Sequence, residues 1–381
     1  MVMSKPETIV KIMISGYYGF NNTGDESILQ SMVRAFKEKL PRIKIVVLSH
    51  NPRQTAQNYA VEAISRLNLL DILSSLRGAD LFISGGGGLL QDSSGKGWSV
   101  WYYLGLIGAA VIFRVPVIVY AQGIGPINRK FNQLLVKWIL NQAKIITVRD
   151  KTSQELLKRW GVNRPPIYLT ADPCFLLKKK NIDQVIKDLP DIQRLLCSHN
   201  SPLVGISLRG YQNQRPDFRQ VLAQLADELI ENYEAKIIFL PFKFNEDLSI
   251  SEEVLLLMKN KNQAEILRRG LEAEELISFI SQLSLVVGMR LHSIMFSTIA
   301  CTPFIALSYD PKVKNFVEDL ALTELLLELE DISLKKLRKK VEYVEKNRGR
   351  IKGILSERVQ NLEEKARKNN ALVFDFLKLN H

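Results

Sequence analysis

An arginine and a histidine directly follow a short apolar run in the second half of the chain. Residues 288–293 read Gly-Met-Arg-Leu-His-Ser and come straight after the apolar residues 285–287. In an open α/β sheet the carboxyl ends of the strands face the ligand crevice, so Arg290 and His292 suggest a fixed cation and a proton carrier acting on an anion. A structural histidine at the start of a helix is the alternative interpretation of His292.

Other basic residues follow strand-like runs in the same way. Arg149 ends the run Thr-Val-Arg, Arg209 ends Ser-Leu-Arg, and Lys312 lies just beyond the run at 304–307. The guanidinium fork suits carboxylate and phosphate oxygens. One arginine at a strand end is more often paired with a carboxylate, and Asp150 adjoins Arg149. Three arginines at equivalent places favour an anion site.

Three glycine-rich loops follow runs in the first half of the chain, at residues 16–26, 85–92 and 122–126. Glycines after a strand allow the backbone to approach a ligand closely. None of the loops ends in the Gly-Lys-Ser/Thr of a P-loop, which argues against a nucleoside triphosphate site. The residues expected to contact a ligand or a saccharide acceptor from these loops are Gly16, Asn22, Gly24, Gly86, Gly87, Gln91, Asp92 and Gln122.

Two carboxylates, Asp25 and Glu26, lie where a helix is predicted to begin. Acidic residues in a first turn complement the helix dipole, and this purely structural role explains them. The functional interpretation is that they bind sugar hydroxyls or deprotonate one of them. A similar ambiguity applies to Trp98 and Trp101, which either stack on a sugar ring or anchor the following helix.

The elements that must position these residues alternate regularly. Short β-branched runs alternate with longer amphipathic segments, which predicts βαβ units and parallel sheets. We therefore expect a Rossmann-like domain at 1–177, a linker at 178–200, a second Rossmann-like domain at 201–332 and basic helices at 333–381 that pack back on the first domain. The strand-like runs are residues 9–14, 43–48, 81–84, 117–121, 145–148 and 167–169, then 203–208, 236–240, 264–267, 285–287 and 304–307.

Composition narrows the class of protein. The chain has 381 residues, 46% hydrophobic and 24% charged, which is typical of a folded protein of two domains. Of its net charge of +12, +8 lies in residues 334–381, so the two domains are nearly neutral and nucleic acid is not an expected partner. The basic tail is either a solvated helix face or a surface for anionic lipid headgroups.

Cysteine usage and hydropathy indicate where the chain works. Cys174, Cys197 and Cys301 have neither disulfide-type nor metal-type spacing, which favours a reducing cytoplasm. The longest apolar stretch, residues 100–119, is interrupted by glycine, arginine and proline, so we expect a buried helix followed by a strand. Any contact with a membrane would then be peripheral.

Taken together, the motifs resemble those of the polysaccharide pyruvyl transferase family, especially its CsaB-type cell-wall members. The resemblance covers residues 9–320 and rests on the loops at 16–26 and 85–92, on Val-Arg-Asp at 148–150 and on Met-Arg-Leu-His-Ser at 289–293. It implies an α/β fold that is GT-B-like, with two Rossmann-like domains facing a central cleft and C-terminal helices.

The resemblance also implies a reaction. Pyruvate would be transferred from phosphoenolpyruvate to a sugar of a cell-wall or lipid-linked saccharide as a cyclic ketal, with release of phosphate and no metal or cofactor. His292 would be the acid or a phosphate ligand, and Asp25 or Glu26 the base. The enzyme would be cytoplasmic, with peripheral contact to the inner face of the plasma membrane through its tail. The residues expected to bind phosphoenolpyruvate are Arg149, Arg209, Arg290, Leu291, His292 and Lys312.

Two alternatives remain at this stage. A GT-B nucleotide-sugar glycosyltransferase would share the architecture, because fold alone does not set function. It would want an acidic residue in the second domain to hold a ribose, and none directly follows His292. A non-catalytic saccharide-binding protein would keep the glycine loops but would not need His292 and four aligned cations.

Overall fold

The computed structural model describes residues 9–92, 97–197, 201–210 and 217–380. The chain forms two compact units. The first comprises Met1–Leu176 together with Leu362–His381, and the second comprises Leu177–Asn361. Each unit is built on one parallel sheet with helices on its faces. The segment 178–200, expected as a linker, carries two helices and belongs to the second unit.

The first unit contains a seven-stranded parallel sheet in the order β3-β2-β1-β4-β5-β6-β7. Six strands coincide with the predicted runs, whereas β3 was not predicted because two of its four residues, Glu62 and Ser65, are polar. The registers pair Ser15 with both Leu48 and Ser84, so β1, β2 and β4 end at the same edge. The strands are β1 (Val10–Ser15), β2 (Ile43–Ser49), β3 (Glu62–Ser65), β4 (Leu81–Ser84), β5 (Val117–Gln122), β6 (Ile145–Val148) and β7 (Ile167–Leu169).

Side-chain caps begin four of the helices between these strands. Asn22 caps α1, and Asn51, Asn68 and Asp150 cap α2, α3 and α6, each by accepting a backbone N–H of the first turn. The predicted helix within residues 100–119 is α4, and β5 follows it. The helices are α1 (Thr23–Lys39), α2 (Pro52–Tyr59), α3 (Leu69–Arg77), α4 (Trp98–Ile112), α5 (Lys130–Leu140) and α6 (Lys151–Arg159).

The second unit contains a six-stranded parallel sheet in the order β10-β9-β8-β11-β12-β13. Its predicted runs all form strands, and β13 is an additional short edge strand. The strands are β8 (Leu203–Ser207), β9 (Lys236–Phe239), β10 (Ala264–Ile266), β11 (Leu285–Gly288), β12 (Phe304–Ser308) and β13 (Leu326–Glu328). The helices are α7 (Ile182–Asp188), α8 (Pro190–Cys197), α9 (Phe218–Tyr233), α10 (Phe244–Leu257), α11 (Ala273–Ile280), α12 (Leu291–Ala300) and α13 (Pro311–Asp319).

The basic tail forms one continuous helix, α14 (Leu334–Asn380), and not the several helices expected. Its apolar side is buried, and its last part packs on the first unit, where Phe374 lies edge-on to Phe36 with ring centroids 5.8 Å apart. Buried amides fix this part: Asn369 accepts from the Thr170 hydroxyl at 2.8 Å, and Asn370 accepts from Tyr120 at 2.6 Å. Within the described residues, no helix is long and apolar enough to cross a membrane.

Candidate functional site

Arg149 lies at the end of β6 in a buried ion pair. Its Nη1 is 2.6 Å from Oδ2 of Asp172, and the two side chains are 5% and 0% exposed. Burial lowers the pKa of Arg149, but the Asp172 carboxylate raises it further, so the guanidinium stays charged. The neighbouring Asp150, suggested by the sequence as a partner, instead accepts the Ser153 N–H at 2.7 Å and caps α6.

Contacts within the protein explain why glycine occupies these loop positions. A Cβ at Gly87 would lie 2.7 Å from Oδ1 of Asp25, and one at Gly85 would collide with the Tyr18 hydroxyl. Gly87 also has φ of +93°, which favours glycine. The glycines therefore make room for side chains of the first loop and helix, and Gly86 does the same for Ile28. Close approach to a ligand is not needed to explain them.

The two adjacent carboxylates have different surroundings. Glu26 accepts the Gly19 N–H at 2.7 Å and the Tyr59 hydroxyl at 2.8 Å, so it fastens the turn before α1. Burial raises the pKa of Glu26 above its ordinary value, although both donors oppose the shift. Asp25 instead accepts from the Asn22 amide and faces Gly87. Of the two, Asp25 is the carboxylate directed at the glycine loop.

Three buried polar atoms lie at this edge of the first sheet without a hydrogen-bond partner anywhere in the described residues. They are Ser15 Oγ, Tyr18 OH and Gln122 Oε1, and the three residues are at most 1% exposed. The Gln122 amide donates to Ser84 Oγ at 2.7 Å, which fixes its orientation. Burial, followed by the charge of Asp25, raises the pKa of Tyr18 well above its ordinary range, so its hydroxyl stays protonated. Such atoms are typical of sites that bind a polar ligand.

Two predicted acceptor contacts have structural roles. Asp92 accepts the N–H groups of Asn128 at 2.7 Å and Arg129 at 3.1 Å, together with the Asn132 amide at 3.0 Å. Burial alone would raise the pKa of Asp92, but these donors hold it below its ordinary value. The carbonyl of Gln91 accepts the Ser99 hydroxyl at 3.1 Å. Asp92 therefore fastens the loop after β5, and Gln91 anchors the start of α4.

The remaining predicted loop residues stand close to these groups. The Gly16 carbonyl accepts the Tyr103 hydroxyl at 3.2 Å, and the Gly24 N–H donates to Asn22 at 3.2 Å. His50, directly after β2, stacks on Phe20 with ring centroids 4.4 Å apart. These contacts stabilise the first loop and place Asn22, Asp25 and Tyr18 along one edge.

In the second unit, Arg290 is held by a carboxylate that the sequence analysis missed. Asp247, in the first turn of α10, accepts Arg290 Nε at 3.0 Å and also its Nη2. It further accepts the N–H groups of Phe242 at 3.0 Å and Lys243 at 2.8 Å, and it is fully buried. Burial lowers the pKa of Arg290, but Asp247 more than compensates. Arg290 is therefore a charged group of fixed orientation.

A second arginine converges on the same place. Arg209 follows β8 and donates to the Tyr309 hydroxyl, with its guanidinium carbon 5.0 Å from the ring centroid. Burial raises the pKa of Tyr309, whereas the charges of Arg209 and Arg290 both lower it. Tyr309 therefore lies within the electrostatic reach of both guanidinium groups, which come from the ends of β8 and β11.

The histidine and lysine of this edge begin two helices. Arg290 is the N-cap residue of α12, so Leu291 and His292 form its first turn, where the helix dipole favours anions. His292 is half-buried and meets Phe296 edge-on at 6.3 Å. Asp310 caps α13 by accepting the Lys312 N–H at 2.9 Å. The tight turn into α12 requires Gly288, since a Cβ there would collide with Ser293 Oγ.

The sequence model described as polysaccharide pyruvyl transferase matches residues 22–311. The match begins at the cap of α1 and ends in the first turn of α13, so it includes Asp25, Arg149 and His292. The chain belongs to the polysaccharide pyruvyl transferase family. It is therefore assigned to a family of transferases that act on polysaccharides, as its motifs predicted.

A curated relative agrees with that assignment. The amylovoran biosynthesis protein AmsJ of Erwinia amylovora is 20% identical over 238 residues, which are 58% of this chain and 56% of AmsJ. The chain thus spans little more than half the length of that curated relative.

Solved structures similar to this family member establish its fold. HepE of Anabaena in complex with UDP-glucose superimposes with a TM-score of 0.66 at 12% identity, covering 97% of this chain and 99% of HepE. The UDP-GlcNAc 2-epimerase of Neisseria meningitidis, bound to UDP-GlcNAc, gives 0.65 at 13% identity, covering 97% and 100%. The predicted GT-B-like fold of two Rossmann-like domains is confirmed, with one C-terminal helix in place of the several predicted.

Proposed function

We propose that the protein transfers pyruvate from phosphoenolpyruvate to a saccharide as a cyclic ketal and releases phosphate. Membership of the family supports the transfer. The observation that carries the choice of donor is that Arg209 and Arg290 follow the paired strands β8 and β11, with the Arg209 N–H 3.4 Å from Met289 Sδ, next to the start of α12 where His292 lies. Phosphoenolpyruvate carries a carboxylate and a phosphate in one small molecule, so several fixed cations are needed to bind it.

Arg290 is the anchor of the proposed donor site. Asp247 holds its Nε and Nη2, so no side-chain entropy is lost when a ligand binds the remaining face of the guanidinium. Arg209 and Lys312 supply further positive charge, and Leu291 gives apolar contact beside His292. The sequence also assigns Arg149 to phosphoenolpyruvate. Its guanidinium is fixed by Asp172 in the first unit, so it is tested by a separate variant.

The chemistry needs one proton donor and two sugar hydroxyls. His292 protonates the methylene carbon of phosphoenolpyruvate, which becomes a methyl group and makes C2 electrophilic. One hydroxyl then attacks C2, the C2–O bond to phosphate breaks, and the second hydroxyl closes the ring. The two hydroxyl protons end on the methyl group and on phosphate. The alternative role of His292 is to bind phosphate only.

We assign the base to Asp25 in preference to Glu26. Glu26 is held by Gly19 and Tyr59, and burial raises its pKa, whereas Asp25 faces the glycine loop. Ser15, Tyr18 and Gln122 offer the hydrogen-bonding atoms that a saccharide hydroxyl would use. This edge of the first unit is therefore our proposed acceptor side, framed by Gly16, Asn22, Gly24, Gly86 and Gly87.

The setting of the reaction is also part of the proposal. The scheme requires no resident metal or cofactor, since phosphoenolpyruvate brings its own leaving group. We propose a cell-wall or other lipid-linked saccharide as acceptor, a cytoplasmic enzyme, and peripheral contact between the basic C-terminal region and anionic lipid. Exposed lysines of α14, such as Lys346 and Lys365, would make that contact.

The test of the donor is direct. Purified full-length protein is incubated with an amino-sugar disaccharide on a lipid carrier and with phosphoenolpyruvate or UDP-glucose. We expect phosphate release with phosphoenolpyruvate and a saccharide mass gain equal to pyruvate minus water. A sugar transferred from UDP-glucose, with no use of phosphoenolpyruvate, would instead establish a glycosyltransferase. Binding of saccharide without turnover of either donor would establish a binding protein.

Variants separate the roles of the proposed groups. His292→Ala should abolish turnover, whereas Leu256→Ser, which changes an exposed side chain of α10 in the same unit, serves as a control and should retain it. If His292→Ala turned over at the wild-type rate, the proposed acid role would be wrong. A higher KM with unchanged kcat would restrict His292 to phosphate binding. Arg149→Ala is expected to weaken phosphoenolpyruvate binding, and unchanged binding would remove Arg149 from the donor site.

A further inference from the structure

The helices α4 and α5 of the first unit present an exposed aromatic surface. Trp98 is 71% exposed and Trp138 is 72% exposed, and between them lie Trp101 and Phe131 at 49% and 59%. Three of the rings adjoin one another, with centroids 6.2 Å apart for Trp98 and Trp101 and 6.0 Å for Trp101 and Phe131. Exposed Leu134 and Trp138 follow Phe131 along α5. We call these five residues the aromatic face.

The composition of α4 is unusual for a helix at a protein surface. One side, including Val100, Leu104 and Ile107, is buried in the core, as expected for an amphipathic helix. The opposite side carries Trp98, Trp101 and Ile112 in place of polar residues. A helix that is apolar all round belongs inside a protein or against lipid. Its exposed side therefore calls for an apolar neighbour.

Charge around the aromatic face points to the nature of that neighbour. The 57 residues from 93 to 149 contain seven lysines and arginines and no aspartate or glutamate. Exposed basic residues at the amino end of α5 include Arg129 and Lys130, and Lys137 lies beside Trp138. Tryptophan with lysine or arginine is the combination that binds the interfacial layer of anionic membranes.

We propose that the aromatic face docks on the headgroup layer of an anionic lipid bilayer, with α4 and α5 lying on the membrane. A second copy of the chain is a poorer occupant, because a two-fold contact would bring basic residues against their own copies without any acidic partner in this segment. Single-stranded nucleic acid stacks on aromatic rings, but this mode of binding does not account for the exposed aliphatic side chains of Ile112 and Leu134. The proposal is independent of the donor and of catalysis.

Intrinsic fluorescence gives a test without any substitution. The chain has four tryptophans, and three belong to the aromatic face. We expect full-length protein to cosediment with vesicles of phosphatidylcholine and phosphatidylglycerol, with a blue shift of tryptophan emission and quenching by brominated lipid. Phosphatidylcholine alone should bind much less. Absence of both cosedimentation and spectral change with the anionic vesicles would refute the proposal.

Variants locate the contact. Trp98→Ser with Trp138→Ser should lower the vesicle partition coefficient at least about tenfold, since two large apolar side chains leave the lipid. Leu256→Ser is the matched control, because Leu256 is equally exposed, at 72%, in the second unit. It should bind like the wild type, and circular dichroism spectra should be unchanged in all variants.

Further measurements distinguish the aromatic face from the basic tail, and lipid from a second copy of the chain or nucleic acid. Lys346→Gln with Lys365→Gln weakens only the contact proposed for the basic tail, so it should lower the partition coefficient while the blue shift of tryptophan emission and the quenching by brominated lipid persist in the bound protein. Loss of the blue shift and of the quenching in bound Lys346→Gln/Lys365→Gln protein would assign the contact to the tail and overturn the proposal. A lipid-free dimer that the tryptophan variant abolishes, or binding of oligo(dT) that vesicles do not displace, would also overturn the proposal.

Discussion

Replacing Asp247 by alanine should destabilise the second unit strongly. The carboxylate accepts two bonds from Arg290 and two from the backbone N–H groups of Phe242 and Lys243, and it is fully buried. Arg290 is only 11% exposed, so the variant leaves a nearly buried guanidinium whose remaining carboxylate, Glu246, is 3.7 Å away and 54% exposed. Breaking such a pair costs about 3–5 kcal/mol. Unsatisfied backbone donors add about 1–3 kcal/mol each. Because these costs overlap, we expect a loss on the order of 5 kcal/mol.

The same geometry predicts an asymmetry between the two partners. Arg290→Met keeps the apolar stem of the side chain and leaves Asp247 with two backbone donors, so the loss should lie near about 3 kcal/mol. The double variant Asp247→Ala with Arg290→Met has no buried unpaired charge. It should therefore be more stable than Asp247→Ala alone, which is the sharpest expectation of the series.

The assay uses the distribution of tryptophan. All four tryptophans lie between residues 98 and 160, within the first unit. In a urea titration, tryptophan emission therefore reports on the first unit, while far-ultraviolet circular dichroism reports on both. The component seen only by circular dichroism should move to lower urea in Asp247→Ala. A double variant less stable than Asp247→Ala, or a loss below about 1 kcal/mol, would refute the ion-pair argument.

Other expectations are as follows. Tyr18→Phe removes a buried hydroxyl that has no hydrogen-bond partner among the described residues. Thermal stability should therefore be unchanged or higher, while the KM for the acceptor rises. A lower melting temperature would contradict this expectation. Asp92→Asn should be less stable than wild type at pH 7. Because the folded-state pKa of Asp92 is depressed, the difference in stability should shrink as the pH falls below the ordinary value of 3.8 and vanish once the pH is below the folded-state pKa. A constant difference in stability at acid pH would exclude this linkage. Gly87→Ala should displace Asp25 and reduce turnover. Gly349→Ala, which has open space in α14, should raise stability by about 0.5–1 kcal/mol. If the two substitutions had the same effects on turnover and stability, the steric account would be contradicted.

The sheets were predictable from sequence because their central strands are short, mainly apolar runs that alternate with longer amphipathic segments. The strands that escaped prediction, β3 and β13, lie at sheet edges and read Glu-Ala-Ile-Ser and Leu-Leu-Glu. Edge strands are half-solvated, so their sequences carry a weaker pattern. Several helices were predicted where the single helix α14 forms, and Gly349 and Gly353 lie within it. Both glycines have open space around them and are accommodated within the helix.

The positions of the candidate site residues were predictable, but their partners were not. Arg149 and Arg290 lie at strand ends as expected, yet their carboxylates, Asp172 and Asp247, are 23 and 43 residues away in the chain. The order of strands in each sheet brings these pairs together, and the spacing of the residues along the sequence does not reveal the pairing. Glycine content likewise indicated a tight loop without revealing that Tyr18 and Asp25 fill the space.

The first unit is discontinuous, since residues 362–381 complete a body whose other residues are 1–176. During synthesis, the second unit has all its residues before the first unit does. The side of the first sheet that Val373 and Leu377 cover therefore stays open until the ribosome has translated these late residues, while domains ordinarily fold in order from the amino end. The unit whose residues are translated first is therefore the one whose core is completed last.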